Sequence, residues 1–173
     1  MQTFFNIALL LEQPDDANKV ADNSAAIALI DRTGDRKKLI SYDELRQRVA
    51  FARAALYSIH EVKPGDRVAL LGDNSVSFLS AYFAVMGLGA TAVPINPNFE
   101  AATLTQLLNS LEPALALIGN TVEPPDDVLT GVTDAKLDDM DAPNKFVAAP
   151  IVAEPIAPAV ILYTSGSTGM PKG

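Results

Sequence analysis

Four short runs of this chain are apolar almost throughout: residues 67–71 (Arg-Val-Ala-Leu-Leu), 90–95 (Ala-Thr-Ala-Val-Pro-Ile), 114–118 (Ala-Leu-Ala-Leu-Ile) and 159–163 (Ala-Val-Ile-Leu-Tyr). A strand with one wet face alternates apolar and polar residues; these do not, so both of their faces must be covered. Stretches of helical length separate the first three. Strands that alternate with helices in this way predict parallel βαβ units: an α/β fold of three layers, a sheet with mostly parallel strands and flanking helices. In such folds ligands sit beyond the carboxyl ends of the strands.

The remaining segments fit around that frame. Residues 3–12 read as a short apolar helix, stopped by Pro14. Residues 25–31 read as a buried strand, 32–35 as a turn and 37–40 as a second strand, together a hairpin. Ser41-Tyr-Asp-Glu44 has the capping-box spacing. Behind it Leu45, Val49, Ala52, Leu56 and Ile59 form one helical stripe, with Arg46, Arg48 and Arg53 expected on a solvated face. His60 falls at the end of that helix, where it would be a polar group near the negative end of the dipole. Asp73 or Asn74 is expected to cap a helix running to about residue 88, whose aromatic residues are read as packing. A further helix over 100–111 carries its stripe at Leu104, Leu107, Leu108 and Leu111. From 121 to 141 seven acidic residues stand against one lysine, and prolines at 143, 150, 155 and 158 follow. That stretch reads as a solvated crossing with a short helix near 134–140, not as a metal site, since its carboxylates lack ligand spacing around a turn glycine. The expected organisation is an α/β subdomain over 1–119, an acidic, proline-rich connection over 120–157, and a strand plus loop of the same domain over 158–173.

Net charge is −8, which argues against sequence-independent nucleic-acid binding and against anionic membranes. There is no cysteine, hence no disulfide framework and no thiolate nucleophile or metal ligand; a cytoplasmic location is the expectation. No apolar run is long enough for a membrane-spanning helix.

The last run leads into Thr164-Ser-Gly-Ser-Thr-Gly-Met-Pro-Lys-Gly173. Glycines let a backbone turn and approach a ligand closely, successive amides form a nest for anions, and hydroxyls with one lysine add donors and charge. These are the needs of a loop that wraps phosphates. The P-loop pattern of Gly-Lys before Ser or Thr is absent, because Lys172 lies between Pro171 and Gly173. A flexible linker shares the composition, but linkers rarely run straight on from a buried strand.

The order strand, hydroxyl-glycine loop, Pro-Lys-Gly resembles the phosphate-loop signature of the adenylate-forming (AMP-binding) enzymes, with Met170 at the variable position. Ser41-Tyr-Asp-Glu-Leu45, Val62-Lys-Pro-Gly-Asp-Arg-Val-Ala-Leu70, Asn74-Ser75 and Gly87-Leu-Gly-Ala-Thr-Ala-Val-Pro-Ile-Asn-Pro97 resemble the amino-terminal half of that family in the same order. The wording is most similar to acyl-CoA synthetases, and departures fall at Gly72-Asp73 and at Ala157-Pro-Ala. The resemblance implies the amino-terminal part of the acyl-CoA synthetase-like fold. It also implies a ligase that joins a carboxylic (fatty) acid to ATP as an acyl-adenylate, releases pyrophosphate, and passes the acyl group to coenzyme A. Phosphate would be held by Thr164, Ser165, Gly166, Ser167, Thr168, Gly169 and Lys172. The magnesium ligand, the acyl and adenine pocket and the catalytic lysine of that family lie beyond its phosphate-loop motif, so no catalytic or metal residue is assigned here. The expectation is a fragment that is inactive alone and prone to self-association through faces meant for later residues. A stand-alone nucleotide- or pyrophosphate-binding module is the alternative.

Overall fold

The computed structural model describes residues 26–32, 37–125, 127–143, 145, 158–164 and 171–173. The helix expected over 3–12 and most of the hairpin turn lie outside the described residues. Two strands, β1 (Ile27–Asp31) and β2 (Lys38–Ser41), form an antiparallel hairpin. Helix α1 (Tyr42–Ser58) follows, then β3 (Arg67–Leu71), α2 (Val76–Gly87), β4 (Thr91–Ile95), α3 (Ala101–Leu111), β5 (Leu115–Ile118) and β6 (Asp134–Lys136), with a 3₁₀ turn at Leu137–Asp139.

Strands β4-β3-β5-β6 lie side by side in that order, every pair parallel. Residues 159–161 add to the free side of β4 through a parallel bridge of Ala92 with Val160. The alternation of side chains divides two cores. Val68, Leu70, Leu115 and Leu117 face α1 and α2, while Ala69, Leu71, Ala116 and Ile118 face α3. A sheet covered on both faces explains why its strands read as continuous apolar runs.

Several details depart from expectation. The first strand is not buried: Leu29 and its cross-strand partner Ile40 turn to the α1–α2 core, whereas Ile30 and Leu39 are about half exposed. A two-stranded hairpin with helices on one face can cover only alternate residues. Ser75, not Asp73 or Asn74, caps α2; its hydroxyl accepts the Phe78 amide at 3.0 Å, while the Asp73 carboxylate is taken by the Thr121 hydroxyl at 2.7 Å. Ser41 caps α1 as its spacing requires, accepting from the Glu44 amide at 3.1 Å. Ile59 lies past the last turn and is exposed.

The 121–141 stretch is solvated over much of its length but not throughout. Val122, Val128, Leu137 and Met140 are buried, and residues 134–136 form β6 instead of starting a helix. Without them the outer edge of β5 would leave its amides and carbonyls unpaired. Arg53 is buried, and Arg48 is no free surface charge. Its guanidinium meets Asp141 at 2.9 Å and Glu44 at 3.0 Å, and Ser77 donates to the other Asp141 oxygen at 3.2 Å. Burial works to lower the Arg48 pKa, but the hydrogen bonds it donates to Asp141 and Glu44, with their negative charge, outweigh it and raise the pKa above its ordinary value. Asp141, only 4% exposed, thereby ties the crossing to α1 and α2. His60 is partly buried, and that burial lowers its pKa below the ordinary value.

Among the described residues no helix is long and apolar enough to cross a membrane.

Candidate functional site: the strand end at Thr164 and Lys172

The strand leading to the glycine-rich loop is held at one end only. Thr91 donates its hydroxyl to the Pro158 carbonyl at 2.8 Å, the Ala92 amide donates to the Ala159 carbonyl at 2.9 Å, and the Ile161 amide donates to the Ala92 carbonyl at 3.1 Å. The next residue of β4 facing this way is two along, because backbone groups alternate sides of a strand. That residue is Pro94, which has no N–H to give. The Ile161 carbonyl therefore gets no bond from Pro94, and the last bond to β4 among the described residues is that of the Ile161 amide. Pairing with β4 guides the chain out along the sheet, and Pro94 removes one of the bonds that would continue it. Leu162, the first residue beyond, is 62% exposed, while Ile161 and Tyr163 pack back on the α3-side core.

Two of the residues expected to contact phosphate are brought together. The Thr164 amide donates to the Lys172 carbonyl at 2.9 Å, and the Lys172 amide returns the bond at 3.1 Å. The Thr164 hydroxyl also donates to that carbonyl, at 3.3 Å. An antiparallel pair thus closes the base of the segment between them. The Lys172 side chain is exposed, with no carboxylate within ion-pair distance among the described residues. Ser165, Gly166, Ser167, Thr168 and Gly169 lie outside the described residues. Thr164 spends its amide and hydroxyl on Lys172 here, so its position in the structure is that of a brace.

Sequence reasoning missed two contributors. Pro94 carried a readable signal, a proline in a strand otherwise patterned for the sheet interior. Gly173 did not: a Cβ there would lie 2.9 Å from Ile161 Cγ2 and 2.9 Å from Tyr163 Cε1, a contact no sequence pattern announces.

A second feature lies at the carboxyl ends of β3 and β5. The chain leaves β3 toward the α2 face and leaves β5 toward the α3 face, where Val122, Val128 and Val132 pack, so this is the topological switch point of the sheet. Gly72 and Gly119 touch there, and a cavity of about 360 Å³ is lined by Asp73, Ser75, Gly119, Asn120, Thr121, Leu137 and Asp138. Its carboxylates are engaged, Asp73 with Thr121 and Asp138 with the Asn120 amide at 3.0 Å. Two negative charges and no cation make this crevice hostile to phosphate. Among the described residues no cluster of three His, Cys, Asp or Glu side chains is arranged to hold a metal ion.

The chain is similar in sequence and in fold to known proteins. The chain is 35% identical over 148 residues to the phenyloxazoline synthase MbtB of Mycobacterium sp. (strain MCS), covering 86% of the chain and 12% of that protein. It is 32% identical over 149 residues to a polyketide synthase-nonribosomal peptide synthetase of Aspergillus clavatus, covering 85% of the chain and 4% of that protein. Among solved structures it resembles the O-succinylbenzoate coenzyme A synthetase of Bacillus subtilis in complex with AMP. The TM-score is 0.67 at 27% identity, over 85% of the chain and 37% of that structure. The chain thus spans well under half the length of each of these three proteins. The model of the family described as AMP-binding enzyme matches residues 16–173. The resemblance carried by the segment from Tyr163 to Gly173 therefore holds across nearly all of the sequence, and the chain belongs to the AMP-binding enzyme family.

Proposed function

We propose that this chain is the amino-terminal, phosphate-gripping portion of an ATP-dependent enzyme that activates carboxylic acids. In that reaction a substrate carboxylate oxygen forms a bond to the α-phosphorus of ATP, the bond to the pyrophosphate oxygen breaks, and an acyl-adenylate results. A thiol then displaces AMP from the acyl carbon. The observation that carries the reading is the Thr164–Lys172 pair, which sets an exposed lysine, with no carboxylate in ion-pair distance among the described residues, at the end of a strand leaving the sheet. Lys172 would contact the departing pyrophosphate, while Ser165, Gly166, Ser167, Thr168 and Gly169 would supply the amides and hydroxyls of the anion nest, with Thr164 as brace. Such a site works by positioning and by donors organised before charge develops. ATP would enter as its magnesium complex, with the protein ligand to the metal outside this chain.

Coenzyme A is the proposed acceptor, supported by the family resemblance and by the likeness to a coenzyme A synthetase. A carrier-protein thiol is the second reading, favoured by the likeness to peptide synthetases. Fatty acids head the candidate substrates. The chain by itself is proposed to bind polyphosphate without forming adenylate.

ATP–pyrophosphate exchange against a panel of carboxylic acids tests this, run on the 173-residue chain and on a longer version carrying the remaining family motifs. Exchange is expected from the longer protein only. Exchange by the short chain contradicts the proposed inactivity, and none from either contradicts the reaction. Supplying coenzyme A or a pantetheinylated carrier domain, with mass-spectrometric detection of the thioester, separates the two acceptors.

A further inference from the structure

We propose that Gly173 is a positioning residue. The space left by its missing side chain seats Ile161 and Tyr163, and that seat holds the Thr164–Lys172 pair, with the lysine ammonium, in place for a polyphosphate. The inference rests on the nucleotide reading above.

Carbon atoms in good contact lie about 3.5–4.0 Å apart. A Cβ on residue 173 would sit 2.9 Å from Ile161 Cγ2, 2.9 Å from Tyr163 Cε1 and 3.2 Å from Tyr163 Cδ1. None of these is the free end of a flexible side chain: one is a branch next to the backbone, the others belong to a rigid ring. Their retreat is limited, since both residues pack against the core that contains Leu104, Leu108 and Val93. A methyl at 173 must therefore push its own backbone outward. The adjoining residue is Lys172, whose amide and carbonyl both bond to Thr164. Gly173 is not among the glycines with positive φ, so the demand at this site is for room and not for a left-handed backbone.

The geometry sets up a cooperative arrangement. Ile161 is the last residue paired to β4, Tyr163 is two residues beyond, and Gly173 lies against both from the returning arm. The lysine thus takes its position from the sheet through two side chains, not only from the loop it closes.

The test is a double-mutant comparison with two readouts, amide hydrogen exchange at Thr164 and Lys172 by NMR and calorimetric affinity for Mg·ATP. Gly173→Ala is expected to accelerate exchange at both amides and to weaken Mg·ATP by up to about tenfold, the scale of losing the one charge-assisted contact that Lys172 makes. Amides of β3 and β5 should keep their protection, which shows the fold intact. In an Ile161→Ala/Tyr163→Ala background the space is already open, and adding Gly173→Ala should change neither readout. Unchanged exchange and affinity in the wild-type background, or an equal loss in both backgrounds, would overturn the proposal. If the wild-type chain takes up no Mg·ATP while the exchange responds as described, the seat stands and the nucleotide reading is what fails.

Discussion

Two places at the carboxyl edge of the sheet differ in almost every physical respect. The crevice between β3 and β5 sits at the switch point, built on touching glycines and lined by carboxylates that are already hydrogen-bonded. The end of the strand beyond β4 sits at the margin, short of one bond at Pro94, and carries an exposed lysine. Topology alone would select the first. Charge selects the second, because a triphosphate brings several negative charges and meets them in the crevice with two more. A fold rule locates hollows, and the chemistry of the lining decides what enters them.

Substitutions can break or sharpen this contrast. The largest loss of stability is expected from Asp141→Ala, which strips the partly exposed Arg48 of its buried partner and frees the segment leading from β6; about 2 kcal/mol should disappear in urea denaturation. Nucleotide affinity of the remaining folded protein should be unchanged, since the strand end is anchored elsewhere. Gly119→Ala presses a methyl to 3.1 Å from the Gly72 Cα. It should cost about 1–2 kcal/mol by the same measurement, the toll of overpacking two backbones. If it weakened Mg·ATP more than Lys172→Ala does, the crevice would be the binding site after all.

Lys172→Ala should show the opposite profile: an affinity lower by about tenfold, one charge-assisted contact, with a midpoint of unfolding that hardly moves. Ser80→Ala lies away from both places. Its hydroxyl is fully buried without a partner among the described residues, so removing it should leave stability equal or slightly raised. The smallest effect concerns His60. Its folded pKa lies below the unfolded value of about 6.5, so the unfolded chain binds more protons and stability falls as the pH drops below that value. His60→Gln should flatten that slope in denaturation curves at pH 5 to 7 without touching the strand end.

The division between legible and illegible features has physical causes. Leu70, Val93 and Leu117 announced their strands because a residue buried from two sides must be apolar whatever its neighbours are. The stripe from Leu104 to Leu111 was equally plain. Strand β6 was not, since Asp134-Ala-Lys136 owes its form to the open edge of β5, a demand made by another part of the chain. The cap of α2 went to Ser75 because Asp73 had a better partner in Thr121, a contact across 48 positions. Arg53 was assigned to water by its place off the stripe, yet it is buried. At the strand end the donor chemistry stood in the residues themselves, whereas Gly173's role depends on where Tyr163 and Ile161 come to rest.

The most direct test of where polyphosphate is gripped is a ¹⁵N chemical-shift titration of the 173-residue chain with Mg·ATP. The largest displacements should fall on the amides of Thr164, Lys172 and Gly173, with Asn120, Thr121 and Asp138 nearly still. Displacements concentrated on Asn120, Thr121 and Asp138 would contradict the assignment and move the ligand to the switch-point crevice.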